Sequence, residues 1–257
     1  LLSHLTLTHA IGVNNSLTFN YPAWTISAEF FAYFLFVLIM LKARPVRFFH
    51  FLILGVIAAL IYAILSLLKP NMDITYDYAV LRCIAGFFIG MISAKCYVKV
   101  RQSVISMKSS TRYSVFSILE IFIVVSSVLF IIFCGGSLQF YVGPFLLAFI
   151  FIFAFDGGIV SSVMSAKPFH YLAKISYSTY MTHVIISICF DIFSKVALAK
   201  VFPNWNEGWG GDLLLLVYLG VVIAVSHFTY HLVEVPGGKF IRNFDFGKVL
   251  KSKSKSA

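Results

Sequence analysis

Apolar runs long enough to cross a membrane recur along the whole chain, each broken by a short polar stretch, at 24–41, 48–68, 79–98, 114–134, 138–155, 175–198 and 212–233. A helix rises about 1.5 Å per residue, so roughly 20 residues span a hydrocarbon core of about 30 Å. In that medium every backbone amide must be satisfied within the protein, which leaves helices and closed barrels. Barrel strands alternate apolar and polar residues over segments of about ten, and no such alternation occurs here. The pattern therefore predicts an all-α integral membrane helical bundle with about seven transmembrane helices in this sequence. Between the fourth and fifth runs, the turn "CGGSLQ" is short, but Gly135 and Gly136 give it the freedom to close a hairpin.

Composition removes the soluble alternatives. Of 257 residues, 60% are hydrophobic and 12% charged, where soluble domains carry about 25% charged residues. The formal charge of +10 matters less than its placement. Lys42, Arg44 and Arg47 fall in one loop, and Lys95, Lys99, Arg101, Lys108 and Arg112 around another. Lys167 and Lys174 follow, then the C-terminal Lys239, Arg242, Lys248, Lys251, Lys253 and Lys255. Threading seven crossings puts all of these on one side, opposite only Lys69, Lys195 and Lys200. Because basic loops stay in the cytoplasm, the tail is expected there and residues 1–23 outside, in a multi-pass membrane protein. The basic balance has no soluble face on which to bind nucleic acid. An outer N-terminus without a visible signal peptide, in a chain that starts at Leu1, leads to the expectation that an odd number of helices precedes this sequence. The domain division expected is 1–242 for the membrane domain and 243–257 for a disordered basic tail, "KVLKSKSKSA" included, resting on anionic headgroups.

Candidate chemistry rests on the few polar residues inside the apolar runs, each of which costs about 2.5–3.5 kcal/mol on insertion scales when charged at mid-bilayer. Glu29 lies about one and a half turns into the first run, and Arg82 at a similar depth in the third. A pair between them would offset part of both costs. It would either lock two helices or line a polar pocket open to the outer half of the membrane. Gly86 and Gly90 follow Arg82 at spacings of four, a small-residue face on which another helix can approach. His183 enters its helix from the cytoplasmic side to about mid-depth, and Ser176, Tyr180 and His183 share one face with Tyr177 beside it. A histidine there can pass protons or hold a hydroxyl, or simply join helices. Glu234 ends the last run, where Pro236 and Gly237-Gly238 are expected to stop the helix, and a structural pairing with basic side chains is its expected role. The four cysteines (Cys83, Cys96, Cys134, Cys189) have no CxxC spacing and are read as packing residues. No metal-ligand motif, P-loop or GxSxG elbow is present, and neither a metal nor a bound cofactor is expected.

Four stretches, in order, resemble the motifs of the membrane acyltransferase-3 family: "NYPAWTISAEFFAYFLF" its N-x-P-x-W-S-L-S-x-E-x-x-x-Y signature, "LRCIAGFFIGM" its arginine–glycine helix, "FHYLAKISYSTYMTHVII" its L-G-x-I-S-Y-S-x-Y-L-x-H segment, and "YHLVEVPGGKFIR" its closing Y-x-x-x-E-x-P. Thr25, Ala173 and Met181 depart from these patterns without removing a polar group. The resemblance implies about ten helices in a whole member, with the family's best-supported histidine in a helix that this sequence lacks. It also implies an O-acyltransferase of a bacterial inner membrane, taking an acyl group, usually acetyl, from cytoplasmic acetyl-CoA as donor substrate to a sugar hydroxyl of a glycan or lipid-linked sugar. On that basis Glu29 and His183 are the expected catalytic residues, and Arg82, Tyr180, Trp24 and Ser27 the expected substrate contacts. Glu234 and Pro236 are expected to be structural. Two other readings use the same residues: a glycan or lipid transporter without covalent chemistry, and an inactive fragment.

Overall fold

The computed structural model describes residues 2–14, 16–17, 20–42, 48–198 and 209–243, and among these all the regular structure is helical, with no strand. The helices are α1 (Leu2–Leu5), α2 (Trp24–Lys42), α3 (Phe48–Leu68), α4 (Ala79–Ile105), α5 (Ser109–Phe133), α6 (Val142–Phe153), α7 (Ile159–Met164), α8 (Lys167–Phe193), α9 (Trp209–Thr229) and α10 (Val235–Asn243). They form two compact units, the first ending at Lys167 and the second beginning at Pro168. The expected tail lies beyond Asn243, outside the described residues.

Among the described residues, six spans are long and apolar enough to cross a membrane: Tyr21–Lys42, Phe49–Leu68, Ala79–Ile105, Ser109–Phe133, Gly136–Phe153 and Trp209–Asn243. They correspond to six of the seven apolar runs. The remaining run, 175–198, falls largely in α8, whose 27 residues give it the length but whose Ser176, Tyr177, Ser178, Thr179, Tyr180, Thr182 and His183 dilute its apolar character. The "CGGSLQ" turn does close a hairpin: Gly136 takes φ +56°, and the chain re-enters through the 3-10 turn Gly136–Tyr141 into α6.

In the first unit α4 is the hub, packing on α2, α3 and α6, while α5 packs on α6 and α7. Leu54, Ala58, Tyr62 and Leu65 of α3 meet Ala85, Phe88 and Ile89 of α4, with Ile74 and Phe140 in the same cluster. Polar side chains are also buried here, Ser27, Ser93, Glu120 and Ser161 among them, while Val56, Leu60, Ile118 and Phe122 face outward. That inversion suits a lipid solvent, which is as apolar as leucine and gives helices no hydrophobic reason to associate. Small side chains and internal hydrogen bonds hold such helices instead.

The last membrane run does not stop at Pro236. A π turn, Tyr230–Glu234, joins α9 to α10 and the helix continues to Asn243. Proline has no N–H for the carbonyl four residues back and its ring crowds that carbonyl. A turn of wider pitch just upstream shifts the register and lets the helix pass the proline.

Candidate functional site

The end of the first unit where α3 connects to α4 is organised by Arg82, in the first turn of α4. Its Nη1 donates to the carbonyls of Met72 (2.9 Å) and Ile74 (3.1 Å), and its guanidinium lies over the Trp24 ring, 4.8 Å from the centroid. Gln139 Oε1 accepts from the Met72 amide at 3.0 Å, and Lys69 forms an ion pair with Asp77. The connection from α3 to α4 is thus pinned from three directions. The Tyr78 amide donates to Asp77 Oδ1 at 2.8 Å. Burial works to raise the Asp77 carboxyl, but the bond from Lys69 and that amide outweigh it and hold it below its ordinary value, while the same ion pair raises Lys69.

The expected Glu29–Arg82 pair is not among the ion pairs of the described residues, which are Lys69–Asp77 and Lys195–Asp191. Glu29 lies exposed on α2, and Arg82 turns to the backbone carbonyls and Trp24. Ser27 is fully buried: its Oγ donates to the Leu7 carbonyl (2.6 Å) and accepts from the Ala10 amide (3.1 Å). It ties the segment around Leu7 and Ala10 to α2.

Gly86 and Gly90 do not receive a helix either. A Cβ added at either position would meet nothing within 4 Å. They line a cavity of about 870 Å³ that also touches Arg82, Tyr62 and Gln139 at one end, with mostly apolar walls, where the sequence led us to expect a polar pocket. Close approach occurs instead at Gly143 of α6, whose added Cβ would stand 3.0 Å from Ile89 and 3.1 Å from Tyr62.

In the second unit the hydroxyl-bearing residues of α8 separate onto two faces. Ser178, Thr182 and Tyr171 serve helix packing: Ser178 Oγ donates to Glu234 Oε2 at 2.6 Å, Thr182 Oγ1 lies 3.4 Å from Ser226 Oγ, and Tyr171 bonds His227 Nδ1. Glu234 is therefore held by a serine hydroxyl where the sequence suggested a basic partner. Ser176 and Tyr180 lie exposed, with His183 half-buried beside them. His183 Nδ1 lies 2.7 Å from the Tyr180 carbonyl. A carbonyl only accepts, so Nδ1 carries the proton, and in the neutral ring Nε2 is the basic nitrogen.

Sequence reasoning passed over two features. Glu120, 0% exposed within α5, accepts from the amides of Gly158 (2.9 Å) and Ser161 (3.0 Å) and from the Ser161 hydroxyl (2.5 Å). It satisfies the start of α7, whose first amides have no partner within the helix. A charged residue inside an apolar run was the available signal. The second is a histidine pair, His227 and His231, with ring centroids 4.6 Å apart beside Tyr171. Their spacing of four on one helix could have been read. Among the described residues no three His, Cys, Asp or Glu side chains converge as metal ligands.

The family model described as an acyltransferase domain (Acyl_transf_3) matches residues 2–231. No curated protein and no solved structure matches the chain.

Proposed function

The chain belongs to the acyltransferase-3 family, and from that premise we propose that it moves an acetyl or other acyl group from cytoplasmic acyl-CoA to a hydroxyl of a surface or lipid-linked glycan. The observation that carries this reading is the placement of Arg82, from the second resembling motif, at the polar end of a cavity of about 870 Å³. In acyl transfer a hydroxyl oxygen attacks the thioester carbonyl, a tetrahedral oxyanion forms, and the C–S bond breaks to release the coenzyme thiolate. The hydroxyl proton passes to a base and then to that thiolate. Arg82, held in place by its carbonyl bonds and Trp24, is the fixed cation at that end of the cavity, where it can bind an anionic group of the acceptor.

Glu29 and His183 are the two candidates for the base. The exposed Glu29 carboxylate is accessible to an acceptor hydroxyl, and His183 offers Nε2 because Nδ1 is bonded to the Tyr180 carbonyl. Trp24 orients Arg82, and Tyr180 flanks His183 at 5.7 Å between ring centroids. The distribution of lysine and arginine supports a cytoplasmic C-terminus.

Proton NMR of surface polysaccharide from cells with and without the gene tests the reading. An ester-linked acyl signal, removed by mild base and present only with the gene, is the expected result. Glu29→Gln and His183→Ala should each lower it by about 10²–10⁴-fold if the residue is the general base. Identical spectra with and without the gene, for glycan and extracted lipid alike, would favour transport over transfer.

A further inference from the structure

We propose that the cavity beside Arg82 is a slot for the apolar tail of a lipid-anchored acceptor, with the acceptor's anionic headgroup at Arg82 and its sugar beyond. This rests on the acyl-transfer reading and narrows its acceptor to an amphiphile.

The floor of the slot is one stripe of α4. Arg82, Gly86, Gly90 and Ala94 follow at spacings of four, so they stack along one face. Twelve residues of helix make this stripe about 18 Å long. The two glycines leave it without side chains, and a Cβ at either would enter open space. A narrow, linear, apolar group fits such a floor. Its walls are also apolar, with Phe87 and Met91 on α4 and Phe130 on α5. Ile131, another lining residue, is 79% exposed, so the slot opens sideways to where hydrocarbon lies. A lipid tail can enter there without leaving the bilayer.

The polar groups are not distributed evenly. Arg82 and Gln139 both sit at the end formed by the α3–α4 connection and the 3-10 turn before α6. A cation at one end of an apolar slot complements an amphiphile with an anionic head, such as a phosphate, which Arg binds as a planar donor. A free glycan does not suit the slot, since its hydroxyls would lose water there without finding partners. The acyl chain of a coenzyme thioester fits less well, because its charged part approaches from the cytoplasm, and the basic loops place that face at the opposite end from Arg82. The volume, about 870 Å³, lies within the range of about 300–1,000 Å³ common to ligand sites.

The test uses the full chain in neutral phosphatidylcholine nanodiscs and a dodecyl phosphate probe carrying a mid-chain diazirine, with labelled peptides mapped by mass spectrometry. Saturable labelling of α4 and α5 is expected, competed by unlabelled dodecyl phosphate and not by dodecanol. Gly90→Leu should reduce it by about tenfold or more, and Arg82→Gln should raise the half-saturating concentration by about tenfold. Thermal unfolding of both variants checks that they fold. Gly86→Leu gives a second way to fill the slot if one variant does not. Labelling that never saturates, or that dodecanol competes equally and Gly90→Leu leaves unchanged, overturns the proposal. A paired assay offers the same glycan with and without a lipid tail. Equal acyl transfer to both, with no slot labelling, removes this inference and leaves the enzyme reading standing. Slot labelling with no ester on either acceptor does the reverse.

Discussion

Ser27 shows how one hydroxyl can organise the segment before α2. Its Oγ satisfies both the Leu7 carbonyl and the Ala10 amide, and it is fully buried. Ser27→Ala strands a buried amide, which costs about 1–3 kcal/mol. Thermal unfolding in detergent should register this as a lower midpoint, and an unchanged midpoint would show that water reaches Ala10. Ser178 and Glu234 can be treated as a pair because Oγ and Oε2 stand 2.6 Å apart. In a double-mutant cycle of Ser178→Ala and Glu234→Gln, a coupling of about 1–3 kcal/mol is expected for a hydrogen bond to a charged acceptor. Additive effects would mean that the two helices meet through other contacts. At this scale the sequence announced which polar residues were unusual, Glu29, Arg82 and His183 included, but not their partners. Arg82 was expected to seek Glu29 and instead holds carbonyls that lie eight and ten residues before it.

The short helix α7 depends on a side chain from another helix. Glu120 accepts from Gly158 and Ser161, and an added Cβ at Gly158 would stand 2.5 Å from Glu120 Oε2 and 2.7 Å from the Phe116 carbonyl carbon. Gly158→Ala is therefore expected to destabilise the first unit by about 1–3 kcal/mol through overpacking, measured as a fall in unfolding midpoint. Glu120→Gln exchanges one acceptor oxygen for a donor that faces amides, and it should be destabilising as well. If Gly158→Ala were neutral, the α5–α7 contact would have to be loose. The π turn at Tyr230–Glu234 belongs to the same scale. The Pro-Gly-Gly sequence signals a helix end, and tertiary context overrides it by widening one turn, which carries the chain on to Asn243.

For the molecule as a whole, the Lys69–Asp77 pair sets how the α3–α4 connection responds to pH. Asp77 is held below its ordinary 3.8, so its contribution is full above that value and is lost as pH falls through the lower folded value. Lys69 is raised above 10.5, so its contribution is full below that and is lost as pH rises through the higher folded value. Between these limits the pair is constant, and no change from this source is expected at neutral pH. Unfolding midpoints compared at roughly pH 6 and pH 3 should fall less for Asp77→Asn than for the wild type, because the variant has no carboxylate there to protonate. An equal fall in both would assign the acid sensitivity to other groups.

The helical membrane class was legible in the sequence because hydrocarbon permits few backbone solutions, and apolar runs of sufficient length state which one is used. The family was legible too, since its four motifs are local strings that need no knowledge of contacts. What those motif residues touch was decided only by packing. The Gly86–Gly90 stripe could have received a helix or lined a cavity, and spacing along one helix is the same in both cases. The α8 hydroxyls could have formed one polar face, yet the position of α9 divides them between helix contacts and an exposed side. Periodicity assigns residues to faces of an element, and the tertiary structure alone determines what each face meets.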